Sequence, residues 1–140
     1  MPDRFPAEVR SRIMGSVRTK GTKPEMIVRR ALHRLGYRYR LHRGDLPGRP
    51  DLAFVSRRKV LFVNGCFWHW HSDCPRARVP VSNADFWLTK LERNRQRDAA
   101  SVAALRDLGW ESLTVWECEL RTVEKAMARI VAFLGPAGAS

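Results

Sequence analysis

The chain has 140 residues, one domain's worth, with 26 Lys/Arg against 14 Asp/Glu, a formal charge of +12 and 44% hydrophobic residues. This composition excludes a disordered chain, three cysteines exclude a disulfide framework, and no apolar run approaches the ~20 residues of a membrane span. The first dozen residues are charged throughout and lack the apolar stretch of a secretory signal, so an intracellular, cytoplasmic protein is expected. Residues 1–60 hold 16 Lys/Arg against 5 Asp/Glu, whereas the remainder holds 10 against 9. The excess is mostly arginine, whose planar fork suits phosphate and guanine edges. The expected partner is a polyanion, nucleic acid first.

Residues 1–21 read as a basic N-terminal arm, 22–134 as a single domain and 135–140 as a small-residue tail. Thr22-Lys23-Pro24-Glu25 matches a capping box with Pro just inside a helix. Ile27, Val28, Ala31, Leu32 and Leu35 follow at helical spacing, and Gly36 ends the run. Residues 37–41 alternate as a half-buried strand does. Leu46-Pro-Gly-Arg-Pro50 is a turn, and 51–55 and 59–63 read as further strands. Short turns between them predict an antiparallel meander. An irregular section rich in Cys, His, Trp and Pro runs from Asn64 to about Ser82. Asn83 is placed to cap a helix that reaches Leu108 and stops at Gly109. Residues 111–116 form a strand reached by a helical crossover, hence parallel to a meander strand, and 122–134 form a last amphipathic helix. The fold class is α/β with a mixed central sheet.

Cys66, His69, His71 and Cys74 fall within nine residues, and Cys118 follows a predicted strand. Three thiols and one imidazole would make a tetrahedral Cys₃His zinc site, and spacing does not choose between His69 and His71. The aromatics Phe67, Trp68 and Trp70, with Phe86 and Trp87, form either a small satellite core or a wedge for a nucleic-acid stack. Asp51, directly after the turn, is either a cap residue or a Mg²⁺ ligand in a phosphodiesterase. Glu25, Asp98, His69 and the end of the 59–63 strand are its candidate companions.

Several rare features occur together: Leu46-Pro-Gly-Arg-Pro-Asp51, Gly65-Cys-Phe-Trp-His69, Phe86-Trp87 with Lys90 and Asn94, Arg97-Asp98, and Gly109-Trp110 leading to Val115-Trp-Glu-Cys118. In this the chain, over roughly residues 10 to 121, resembles the very-short-patch-repair (Vsr) DNA mismatch endonucleases, relatives of the PD-(D/E)XK nucleases. The resemblance implies a restriction-endonuclease-like three-layer fold with a structural zinc site. It also implies an Mg²⁺-dependent enzyme that nicks one DNA strand beside a T:G mismatch arising from 5-methylcytosine deamination, leaving a 5′-phosphate.

Under the same resemblance Asp51 would ligate Mg²⁺ together with the main chain of Val63. His69 would be the general base, and Asp98 and Glu25 would be supporting acids. Cys66, His71, Cys74 and Cys118 would bind Zn²⁺. Phe67, Trp68 and Trp87 would wedge the mismatch, and Arg18, Lys20, Lys23, Arg49, Lys90 and Asn94 would contact DNA. The enzyme would act as a monomer near the nucleoid, with mismatch-repair factors of the MutS and MutL type as partners. The family often has histidine where this chain has Asn64, and asparagine cannot transfer protons near neutral pH. Two other readings fit: a same-fold nicking or restriction-linked nuclease with another DNA target, and a non-catalytic zinc DNA-binding module.

Overall fold

The computed structural model describes residues 22–72 and 74–137. The basic arm, with Arg18 and Lys20, lies outside the described residues, as does the end of the tail. Helix α1 spans Lys23–Arg34. Thr22 Oγ1 accepts the Glu25 N–H at 3.3 Å, so half of the expected capping box forms. The Glu25 side chain turns inward instead, and the residue is only 1% exposed.

The expected strand over 37–41 is only two residues long, β1 (Arg40–Leu41). Tyr37 cannot join a ladder, because its N–H is spent on the Leu32 carbonyl at the helix end, 3.0 Å away. The alternation is nonetheless real in packing, since Tyr37 and Tyr39 both set their rings edge-on to Phe54. Strand β2 is Leu52–Phe54, and Val55 already belongs to a 3₁₀ turn that ends at Arg58 in the left-handed region. Strand β3 is Lys59–Asn64, helix α2 Ala84–Asp107, strand β4 Glu111–Trp116 and helix α3 Val123–Leu134.

The sheet order is β1-β2-β3-β4. The first three strands are antiparallel, and β4 runs parallel to β3 from Lys59↔Glu111 to Asn64↔Trp116. The long α2 crossover makes that parallel pairing possible. One sheet face (Leu52, Phe54, Leu61, Val63, Val115) is buried under Val28 and Leu32 of α1 and Met127, Ile130 and Leu134 of α3. The other (Ala53, Val60, with Phe62) packs on Leu105 of α2 and Trp110. This is a three-layer α/β/α domain. Strand β3 is apolar on both faces because both are covered.

Gly48 ties the 46–50 turn to α2. Its φ is +76°, and a Cβ there would lie 2.7 Å from the Ser101 Cβ, so only glycine allows this approach. Asn83 precedes α2 in the left-handed region and its side chain makes no capping bond. Among the described residues no helix is long and apolar enough to cross a membrane.

Candidate active site and adjoining metal cluster

Asp51 stands just before β2, beside the carboxyl-terminal end of β3. Its Oδ2 accepts the Val63 N–H at 2.7 Å, and the residue is buried. Burial pushes the Asp51 carboxyl up to about 7; the Val63 bond opposes this, the Glu25 charge adds to it, and His42 and His69 lower it. Glu25 reaches the same place from α1. Its Oε2 meets His42 Nε2 at 2.9 Å and receives Arg29 at 3.4 Å. Ligand atoms of Glu25, His42 and Asp51 lie within 4.8 Å of one another. Two buried carboxylates with an imidazole suit a divalent cation, because a positive ion offsets the burial that raises Asp51 and the Glu25 charge that adds to it.

His42 was missed by sequence reasoning, although the β1–β2 register contained the signal. Arg40 faces Ala53 and Leu41 faces Leu52, so the next pair is His42 and Asp51. The His42 N–H donates to the Asp51 carbonyl at 3.1 Å.

His69 lies in the loop after β3, and its Nδ1 is 2.6 Å from Asp98 Oδ2 on α2. A carboxylate at Nδ1 fixes the tautomer with Nε2 unprotonated, the form that accepts a proton. Asn64 ends β3 and is buried, in register with Trp116. Glu25, Asp51 and His69 therefore share one electrostatic neighbourhood, with Asp98 behind His69.

The second cluster is separate. Ligand atoms of Cys66, His71, Cys74 and Cys118 lie within 4.8 Å of one another, and none of the cysteines is in a disulfide. Cys118 Sγ is 3.5 Å from His71 Nδ1. Tetrahedral ligation at ~2.3 Å to sulfur and ~2.0 Å to nitrogen asks for a separation of about 3.5 Å. Burial pushes the Cys66 thiol up to about 12 and raises Cys118 as well, so thiolates here require a cation. His71 stacks flat on Trp116, centroids 4.1 Å apart, which sets its ring plane. The structure thus divides the two histidines: His71 joins the thiols and His69 joins Asp98.

Phe67, Trp68 and Trp87 form an edge-to-face cluster with centroids 5.0 to 5.9 Å apart. Trp87 is 4% exposed and lies beneath, so the faces open to a ligand belong to half-buried Phe67 and Trp68. A groove along α2 is lined by Phe86, Lys90, Arg93, Asn94 and Arg97. The Asn94 Nδ2 donates to the Trp68 carbonyl at 2.9 Å. Lys23 and Arg49 are exposed.

Comparison with known proteins places the chain in a family. The model of the family described as DNA mismatch endonuclease Vsr matches residues 2–76. The Type II nicking enzyme V.XorIIP of Xanthomonas oryzae pv. oryzae is 50% identical over 97% of this chain and 99% of its own. A Type II nicking enzyme of Neisseria meningitidis serogroup A, V.NmeAIP, is 40% identical over 92% of this chain and 90% of its own. The DNA mismatch endonuclease Vsr of Escherichia coli K12 is 39% identical over 89% of this chain and 80% of its own. With a family match over more than half its length and relatives that span it almost end to end, the chain belongs to the Vsr endonuclease family.

Proposed function

We propose that this protein nicks one strand of duplex DNA beside a T:G mismatch. The observation that carries this is a convergence at one end of the sheet. A buried carboxylate pair (Asp51, Glu25) lies within the electrostatic reach of His69, which pairs with Asp98 and shares its loop with half-buried Phe67 and Trp68. The three-layer α/β/α arrangement supports the PD-(D/E)XK-like reading.

His69, held by Asp98, takes a proton from water at Nε2. That water attacks phosphorus in line with the leaving 3′ oxygen; the P–O3′ bond breaks and the 3′ oxygen takes a proton from solvent, giving a 5′-phosphate and a 3′-hydroxyl. Asp51 and Glu25, with His42 and the main chain at Val63, would hold a divalent cation. The two carboxylates, the oxygen donors of the set, favour Mg²⁺, which when bound would supply charge stabilisation at the scissile phosphate. Asn64 can hydrogen-bond but not shuttle protons, which leaves His69 as the base. The four-ligand Cys/His cluster would hold structural zinc. Phe67 and Trp68, propped by Trp87, would enter the base stack at the mismatch. Arg18, Lys20, Lys23, Arg49, Lys90 and Asn94 would contact the duplex.

The test is a panel of duplexes containing T:G, its matched C:G counterpart and other mismatches in varied flanking sequence, each with Mg²⁺. The expected result is a single nick next to the T of T:G duplexes alone. Equal cleavage of T:G and C:G duplexes would move the protein to a nicking nuclease with another target. Asp51→Ala should abolish nicking while DNA affinity is kept. Nicking by that variant at the wild-type rate would remove Asp51 from the site.

A further inference from the structure

Trp70 is the one aromatic of the loop that the proposed reaction does not use. It lies between His69 of the catalytic dyad and His71 of the metal cluster, in the left-handed region at φ +50°. For a bulky side chain that conformation is disfavoured, so the surroundings must enforce it. Besides its own N–H, which donates to the Phe67 carbonyl at 3.1 Å, Trp70 is touched twice by Arg95 of α2. Its guanidinium carbon sits 4.1 Å from the centre of the Trp70 ring, and its NH2 donates to the Trp70 carbonyl at 2.7 Å. One arginine therefore holds both the ring and the main chain of a single residue.

The neighbours of Arg95 extend the grip. Asn94 donates to the Trp68 carbonyl, and Asp98 receives His69 Nδ1. Three consecutive loop residues are thus held by one stretch of α2. Turns within the loop complete the frame, with His69 N–H donating to Gly65 O and His71 N–H to Cys66 O. The backbone at residue 70 decides how the imidazoles on either side diverge, one toward Asp98 and the other toward Cys118.

We propose that Arg95 is a positioning residue for the nicking reaction. By clasping Trp70 in the left-handed conformation it aims His69 at the reacting phosphate while His71 stays in the metal cluster. This rests on the reading of His69 as general base.

The experiment measures single-turnover nicking, DNA affinity and hydrogen exchange of residues 65–72 in zinc-loaded full-length protein. The variants are Arg95→Ala, Trp70→Ala, Trp70→Gly and the Arg95→Ala/Trp70→Ala double. Arg95→Ala is expected to slow nicking about tenfold, with DNA affinity changed less than threefold and faster exchange in the loop. The double variant should be no slower than the worse single, because either change opens the same clasp. Trp70→Gly should nick faster than Trp70→Ala, although it removes more of the side chain, because glycine adopts positive φ freely.

Three results would overturn the proposal: a wild-type rate in Arg95→Ala, a loss of DNA affinity equal to the loss of rate, or multiplying effects in the double variant. His69→Ala separates the two possible failures. If it nicks normally, the reading of His69 falls and the proposal with it. If it is inactive beside a fully active Arg95→Ala, the clasp alone falls.

Discussion

At the scale of single residues the most informative group is Asp51. Its raised carboxyl value means that the folded state prefers the protonated form. In metal-free protein this contribution to stability is whole below the ordinary value of 3.8 and is lost as pH rises toward about 7. The full shift corresponds to about 4 kcal/mol. Asp51→Asn should therefore become progressively more stable than the wild type between pH 4 and pH ~7.5, by up to about that amount. Urea unfolding in chelator at a series of pH values measures it, and a difference independent of pH would contradict the account. Millimolar Mg²⁺ should narrow the gap by stabilising the wild type alone, since a cation rewards the ionised carboxylate. Asp51 itself was legible in the sequence, because a carboxylate after a Pro-Gly-Arg-Pro turn is conspicuous. His42 was not, because a lone histidine between a strand and a turn acquires meaning only from the strand register. Arg95 was hidden more deeply still, as one of several arginines on a solvated helix.

At the scale of elements, periodicity predicted where helices and strands lie but not where they stop. The strand over 37–41 shortened because the end of α1 claims the Tyr37 N–H. Strand β2 ends at Phe54 because the chain must turn at once into β3. Basic residues at that turn are also reassigned. Arg58 donates to the Leu108 carbonyl at the end of α2, while Arg57 and Lys59 donate to carbonyls of Leu134 and Phe133 at the end of α3. These are cations at the negative ends of helices, so part of the positive charge in residues 1–60 holds the fold together and is not spread toward DNA. The turn at Gly48 gives a sharp element-scale prediction. Gly48→Ala forces a Cβ against Ser101 at positive φ, and should cost roughly 2–3 kcal/mol in thermal or urea unfolding. A loss under ~0.5 kcal/mol, the level of an ordinary surface change, would show that the turn can move away from α2.

At the scale of the whole molecule, the Cys/His cluster joins the irregular 65–77 segment to the end of β4, which lies far along the chain. An ion bound there would add stability directly, because it would tie the loop to the end of β4. Purified protein should carry about one zinc per chain. Removing it with a strong chelator should lower the melting temperature by roughly 10 °C, corresponding to about 3 kcal/mol for a chain of this size. Cys118→Ser should reproduce both the metal loss and the lower melting point. An unchanged melting curve after chelation would show that packing alone holds the loop. Nicking should also fall in zinc-depleted protein assayed with Mg²⁺ restored, because His69 and His71 are separated only by Trp70.

The amino-acid sequence by itself determined the α/β class, an antiparallel meander followed by one parallel strand, and the membership of the Vsr family. Each of these is written in local periodicity, in connection lengths or in rare residue types at fixed spacing. Tertiary structure alone decided which residues stand together. It set His42 across from Asp51, turned Glu25 away from its cap, buried Trp87 beneath Phe67 and Trp68, and parted His69 from His71 at Trp70. The physical reason is that spacing records burial along one element, whereas a site is made by register between strands and by the backbone angle of one residue. Neither quantity changes the local pattern from which a sequence is read.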